Sequence, residues 1–171
     1  MAVGIQFKVD KRVQGEFLKH PEQTAKIYET EFRKGLDEST MLVQREVVNR
    51  TPIRSGTLAK SITTETRGTG LNMHGIIGTP LVYALPVERG ARTHFPPMGP
   101  IELWVRRAGL SIEYLGRPLA INQIAYLVAR AISKRGLPAH WMFKDGIAAA
   151  TTRVLKILND AQDRILRALG R

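Results

Sequence analysis

An α+β fold, in which a small antiparallel sheet packs against a long N-terminal helix and a long C-terminal helix, is predicted by three features of the sequence. Apolar residues recur at three- and four-residue spacing from Ala25 to Val47, and again from Ile147 to Leu169. Between these stripes, Leu58 to Thr66 is rich in Thr and Ile, and Leu71 to Thr79 carries apolar residues spaced by small or polar ones. The change from a period near 3.6 to one near 2 marks a helix running into a strand hairpin.

The chain opens on Val3, Ile5, Phe7 and Val9 alternating with Gly4, Gln6 and Lys8, so a first strand is expected over 3–9 with one buried face. Gly15 interrupts the pattern. Pro21 then sits at a first helical position with Glu22 behind it, and the helix expected over 22–50 carries Ala25, Tyr28, Phe32, Leu36, Ser39, Val43 and Val47 on one face. At 1.5 Å per residue it is roughly 45 Å long. Such a helix either lies across the sheet or runs past it to serve a neighbouring subunit. Pro52 lacks an amide hydrogen and pushes Thr51 out of helical geometry, so the helix ends near Arg50. Gly56 supplies freedom for the turn, and Ser55 and Thr57 can hydrogen-bond loop amides.

Strands are expected over 58–66 and 71–79, joined through Gly68-Thr69-Gly70, with Gly75 and Gly78 marking a bulge or an edge. Val82 to Gly90 reads as a short helical turn ended by Gly90. Pro96, Pro97 and Gly99 exclude regular structure over 91–99, which makes that stretch, with His94 and Phe95, a protruding loop. Pro100 starts a helix bearing Ile101, Trp104, Val105 and Ala108, and Gly109 ends it. Residues 109–116 carry no assignable element. A further helix is expected over 118–135, stopped by Gly136 and Pro138, and Asp145 is expected to cap the last one. The 171 residues are expected to form one domain, with a core from 1–90 and 138–171 and a helical insertion over approximately 97–136.

The absence of cysteine removes disulfides, thiolate metal sites and thiol nucleophiles together. Apolar content of 43% with no run approaching a membrane span, and an opening Met1-Ala2-Val3-Gly4-Ile5 unlike a signal peptide, point to a globular protein of a cytoplasm. No catalytic constellation emerges. His20, His74, His94 and His140 lack ligand spacing, neither Ser55 nor Ser61 lies in a Gly-x-Ser-x-Gly turn, and no glycine cluster has the ending of a phosphate loop. No enzyme, cofactor or metal is therefore expected. The net charge of +11 calls for an anionic partner, either nucleic acid or an acidic protein surface. Arg106, Arg107, Arg117, Arg130, Lys134 and Arg135 surround the middle helices, and Arg153, Lys156, Arg164, Arg167 and Arg171 accompany the last one. No recognition-helix or RNA-binding signature goes with them.

The order of motifs carries the strongest signal. Thr51-Pro52-Ile53-Arg54-Ser55-Gly56-Thr57-Leu58, then Ser61-Ile62, Tyr83-Ala84 and Val87-Glu88-Arg89-Gly90, resembles the head-tail joining or tail-completion (neck) family of tailed bacteriophages, whose members are also described as minor capsid or minor tail components. The resemblance covers roughly residues 20 to 90, and Pro138 to Phe143 fills the place of a Pro-Phe-type loop before the terminal helix. It implies a non-enzymatic virion protein, assembled in the host cytoplasm, that forms a ring at the neck between head and tail. Six copies are preferred and twelve are the alternative. Its implied partners are itself, the neighbouring connector and tail-terminator or tail-tube proteins, and the genomic DNA in the lumen. Candidate motif and assembly residues are Pro52, Arg54, Ser55, Gly56, Leu58, Ser61, Tyr83, Glu88, Gly90, Phe95, Pro96, Pro97 and Phe143, with Arg54 expected near Glu88. Residues 91–99 and the basic chain ends are expected to order or shift on joining the ring. A non-sequence-specific DNA-binding or packaging accessory protein is the alternative reading.

Overall fold

The structure, a computed structural model, describes residues 4–52 and 56–170. It is of the α+β class, with long N- and C-terminal helices packed together and small antiparallel sheets. Two compact units divide the chain. The first runs to Leu81 and resumes at Trp141, and the second is Val82–His140.

In the first unit, residues 4–10 are extended and lead into helix α1 (Lys11–Lys19). Asp10 caps α1 by accepting the Arg12 amide through its carboxylate, and its own N–H donates to Gln162 Oε1 at 2.5 Å. Gly15 does not interrupt this helix, since it lies on an open face with nothing near it. Helix α2 (Pro21–Arg50) follows the break at His20 and buries Tyr28, Phe32, Val43 and Val47 along the expected stripe. Its end falls where Pro52 requires, with Thr51 extended and the Thr51 hydroxyl donating to Val47 O at 2.8 Å.

The last helix of the chain, α7 (Met142–Ala168), runs antiparallel to α2 and buries Ala150, Val154, Leu158, Ala161 and Ile165 against it. Two small residues allow the axes to approach. A Cβ on Gly35 would stand 2.9 Å from the Ala161 Cβ, and one on Gly146 would stand 3.0 Å from the Val47 Cα and backbone nitrogen. Two bridges reinforce the pair, Arg153 to Glu46 and Arg164 Nε to Glu31 Oε2 at 3.2 Å. Trp141 begins α7 with φ 50°, so Asp145 is a first-turn residue and not the expected cap.

From Gly56 onward, two of the expected strands are shorter than the sequence suggested. Thr57–Ser61 forms a helical turn, α3, because Leu58 and Ile62 sit four apart and are both buried. Strand β1 (Thr63–Arg67) then pairs with β2 (His74–Gly78) in five unbroken antiparallel pairs, with a 3₁₀ turn at Gly70–Asn72 between them. The glycines of β2 introduce no bulge. Gly75 instead lets the hairpin lie on α2, since a Cβ there would stand 2.1 Å from Thr40 Cγ2. Side chains fix the contact: Gln44 Nε2 donates to Ile62 O at 2.6 Å and Thr66 Oγ1 to Asp37 Oδ1 at 2.5 Å.

The strand expected over 3–9 is not formed by its described residues. Their alternation survives as alternating exposure, but the sheet stays two-stranded. Phe7 lies against α2 through the Phe32 ring, with centroids 5.8 Å apart, in place of a ladder. Val3 lies outside the described residues.

The second unit holds helices α4 (Ala84–Arg89), α5 (Met98–Ala108) and α6 (Ile121–Arg135). Helix α5 starts two residues before Pro100, and α6 starts three residues after Pro118. Ile101, Val105, Ile124, Ala125 and Ala129 make its core, with Trp104, Leu119 and Val128 packed around them. In the stretch 109–116, for which the sequence suggested no element, Gly109 caps α5 and residues 113–116 enter a small hairpin of β3 (Glu113–Tyr114) and β4 (Arg117–Pro118). The two chain segments bounding the unit meet: Ala91 and Leu137 exchange backbone hydrogen bonds of 3.1 and 2.8 Å, and His140 N–H donates to Val87 O at 3.0 Å.

Candidate assembly surface

The motif residues divide between the two units. In the first, Pro52 follows the end of α2, and Gly56 takes φ 70° to start α3. Leu58 is a buried anchor, and Ser61 Oγ donates to Leu58 O at 2.8 Å and shares a 2.7 Å hydrogen bond with Thr79 Oγ1. That pair ties the turn before β1 to the residue after β2. Phe143 lies in the first turn of α7 and is half-buried. Ile53, Arg54 and Ser55 lie outside the described residues, as does Arg171, and so does the expected approach of Arg54 to Glu88.

In the second unit, Tyr83 precedes α4, Glu88 lies within it, and Gly90 ends it with φ 73°. The proline-interrupted stretch has no regular structure until α5 begins at Met98, but it is not wholly exposed. Pro96 is buried, Pro97 is exposed, and Phe95 turns its ring toward Tyr126 with centroids 6.2 Å apart. Ala91 at its start is held by Leu137.

The surface chemistry of this unit is apolar and basic. Val82 is 91% exposed and Leu115 86%, and Leu85, Tyr114 and Tyr126 are each at least half exposed. Single exposed apolar residues are ordinary, and these five make residues 82–140 the candidate surface for a partner. The same stretch carries eight Lys or Arg against three Asp or Glu. Exposed Arg106 and Arg107 end α5, and exposed Lys134 and Arg135 end α6, where cations also complement the helix dipole. Sequence reasoning named Tyr83 and Phe95 but missed Tyr114 and Leu115. The signal for Tyr114 was available in the alternation of Leu110, Ile112 and Tyr114 with Ser111 and Glu113.

The first unit contributes a cavity of about 450 Å³ beside β2, walled by α2, α7 and the extended N-terminal segment. Tyr28 lines it. The Tyr28 ring is stacked on Phe32 at 4.9 Å, its hydroxyl has no hydrogen-bond partner among the described residues, and burial pushes its pKa up to about 12. Carboxylates of the helix pair move the other way. Hydrogen bonds from Arg153 and then Arg50 hold Glu46 below its ordinary value, and Lys34 and then Arg164 do the same for Glu31.

Among the described residues, no group of three His, Asp or Glu side chains could hold a metal, and no helix is long and apolar enough to cross a membrane. Comparison with known proteins adds no relative: no protein-family profile, curated protein or solved structure matches this chain.

Proposed function

We propose that this chain is the repeating subunit of a ring at the neck of a tailed bacteriophage, a non-enzymatic virion protein that joins the DNA-filled head to the tail. The observation that carries the reading is the ordered series of motifs from Pro52 to Gly90, which resembles the neck family. It is supported by the way those motifs fall at junctions: the end of α2, the start of α3, and the two ends of α4. A structural role also fits the exposed apolar side chains of residues 82–140, which a subunit uses to meet its neighbours. Head-to-tail contacts of this kind close into a ring when the rotation between subunits allows it. Six copies are preferred and twelve are the alternative.

Genomic DNA in the lumen gives the basic surface a role without sequence reading, since phosphate contacts need only cations. Connector and tail-terminator or tail-tube proteins are the other partners. The second reading, a DNA-binding or packaging accessory protein, is favoured by one observation, the net charge of +11. Native mass spectrometry at rising protein concentration, followed by electron microscopy of the largest species, tests the proposal. A closed ring with a central channel is expected. A chain that stays monomeric at all concentrations, yet coats duplex DNA with steep salt dependence, would overturn the proposal in favour of the second reading.

A further inference from the structure

Two unpaired strand edges in this chain have complementary chemistry. The first belongs to β2. Four consecutive residues of it, His74 to Ile77, line the cavity of the first unit, whereas no described residue of β1 does. Successive strand residues point to opposite faces, so a space touching all four abuts the backbone edge of β2 and not one face of the sheet. Across the space, Ile5, Phe7 and Val9 form the far wall. No backbone hydrogen bond joins residues 4–9 to β2 among the described residues. The result is a slot with an extended chain on each side and an apolar floor from α2 and α7.

The second edge belongs to β3. Leu115 and Gly116, with φ 52° and 72°, make the two-residue turn of the hairpin, and Leu119 N–H donates to Ile112 O at 2.8 Å. Antiparallel ladders alternate between pairs that exchange hydrogen bonds and pairs that do not. With Ile112 opposite Leu119 bonded, Glu113 opposite Pro118 is a pair whose backbone groups face outward. Pro118 has no N–H, which blunts the outer edge of β4. Glu113 offers both N–H and C=O on the outer edge of β3. Leu110, Ile112 and Tyr114 alternate beside it, and they are 37%, 40% and 67% exposed.

We infer that β3 of one copy inserts beside β2 of the next, adding a strand to its sheet and placing Ile112 and its apolar neighbours in the slot. This rests on the ring proposed above and names the contact that builds it. Charge favours this occupant. Exposed Lys8, between Phe7 and Val9 of the far wall, sets a cation beside the slot. The polar face of the incoming strand brings Glu113, which makes no ion pair among the described residues, and opposite charges on neighbouring strands attract. The contact joins two different surfaces, so each copy makes it twice and the series propagates in one direction until it closes. One short strand covers far less than the roughly 1,600 Å² of a standard stable interface, so the contact holds in a closed ring and not in an isolated dimer.

Hydrogen exchange read by mass spectrometry on monomer and ring fractions of the full chain tests the inference. Peptides covering 74–78 and 110–114 are expected to slow together, by about tenfold or more, on assembly, because both edges then form a ladder. Ile112→Asp places a charge in the slot and is expected to leave a folded monomer by circular dichroism that no longer assembles. A wild-type ring in which only one of the two peptides slows, or neither, or an Ile112→Asp protein that still forms the ring, overturns the strand insertion while leaving the ring standing. Slowing of 74–78 together with 4–9 alone would show that the N-terminal segment of the same chain fills the slot, and overturns it too. Absence of any wild-type ring removes the parent proposal and this contact with it.

Discussion

Replacing Gly146 by Ala sets two effects of known sign against each other. In an isolated helix the change stabilises, because alanine loses less conformational freedom on folding, and the gain is about 1 kcal/mol. In α7 the added methyl would stand 2.8 Å from Val47 Cγ2 and 3.0 Å from the Val47 Cα and backbone nitrogen. The first neighbour is held by a buried side chain and the others belong to the helix α2 backbone, so α2 and α7 must move apart. Overpacking of this kind costs about 1–3 kcal/mol, and the axes separate along a seam that also holds Ala150 and Val154. A net loss of about 1–2 kcal/mol is expected, visible as a lower urea midpoint with an unchanged slope. Gly15→Ala is the internal control. It makes the same exchange inside α1, where nothing lies within 4 Å, and is expected to raise stability by up to about 1 kcal/mol. If Gly146→Ala stabilises as much as Gly15→Ala, the close approach of α2 and α7 is not as described.

Gly75→Ala is expected to lift the hairpin from α2, since the new methyl would meet Thr40 Cγ2 at 2.1 Å; faster amide exchange in 63–67 and 74–78, with α7 unaffected, is the readout. Tyr28→Phe removes a buried hydroxyl that has no partner among the described residues, so equal or slightly higher stability at pH 7 is expected from chemical denaturation. The wild type is also expected to lose stability above pH 10. Its phenol is held neutral up to about pH 12 in the fold but ionises near 10 once unfolded, so the stability from burial is full below 10 and lost as pH rises to 12. Tyr28→Phe should flatten that part of the profile. At the acid end the sign reverses. Glu46 is held below its ordinary value of 4.5 by Arg153 and Arg50, so its contribution is present above that value and disappears as pH falls through the lowered one. Glu46→Gln is expected to weaken the acid dependence of the melting temperature between pH 5 and 2.

Helices with long apolar stripes were legible because burial follows one period for many turns. Tyr28, Phe32, Val43 and Val47 are inside as their spacing demanded, and Pro21 and Pro52 bound the helix between them. Short elements were less legible, because packing decides them. Residues 4–9 have the alternation of a strand, but a strand exists only where a partner offers its backbone, and β2 stands off across a cavity. Leu58 and Ile62 are as compatible with a helical turn as with a strand end, and burial of both against the first unit selects the turn. Gly15 argued for a break, yet Asp10 caps the helix firmly enough to carry it through. Of the candidate assembly residues, the anchors at Leu58 and Ser61 follow from local chemistry, and the exposure of Phe95 follows from its prolines. Tyr114 was legible in the short alternation from Leu110, whereas Leu115 was not, because it sits in the two-residue turn where that alternation ends.

The meeting of Ala91 with Leu137 also bears on how the chain is made. Everything the second unit needs lies between Val82 and His140, so it can close as soon as Leu137 has cleared the ribosome. The first unit cannot. Its partner for α2 is α7, which follows the whole second unit in the chain, and at roughly 5–20 residues per second the 27 residues of α7 take a few seconds more. During that interval Phe32, Val43 and Val47 have no α7 to cover them. A nascent chain that has exposed His140 but not α7 would therefore carry a closed second unit and an uncovered α2, so the segment made first is completed later. This bare helix face makes the emergence of α7 the step that buries the stripe of α2.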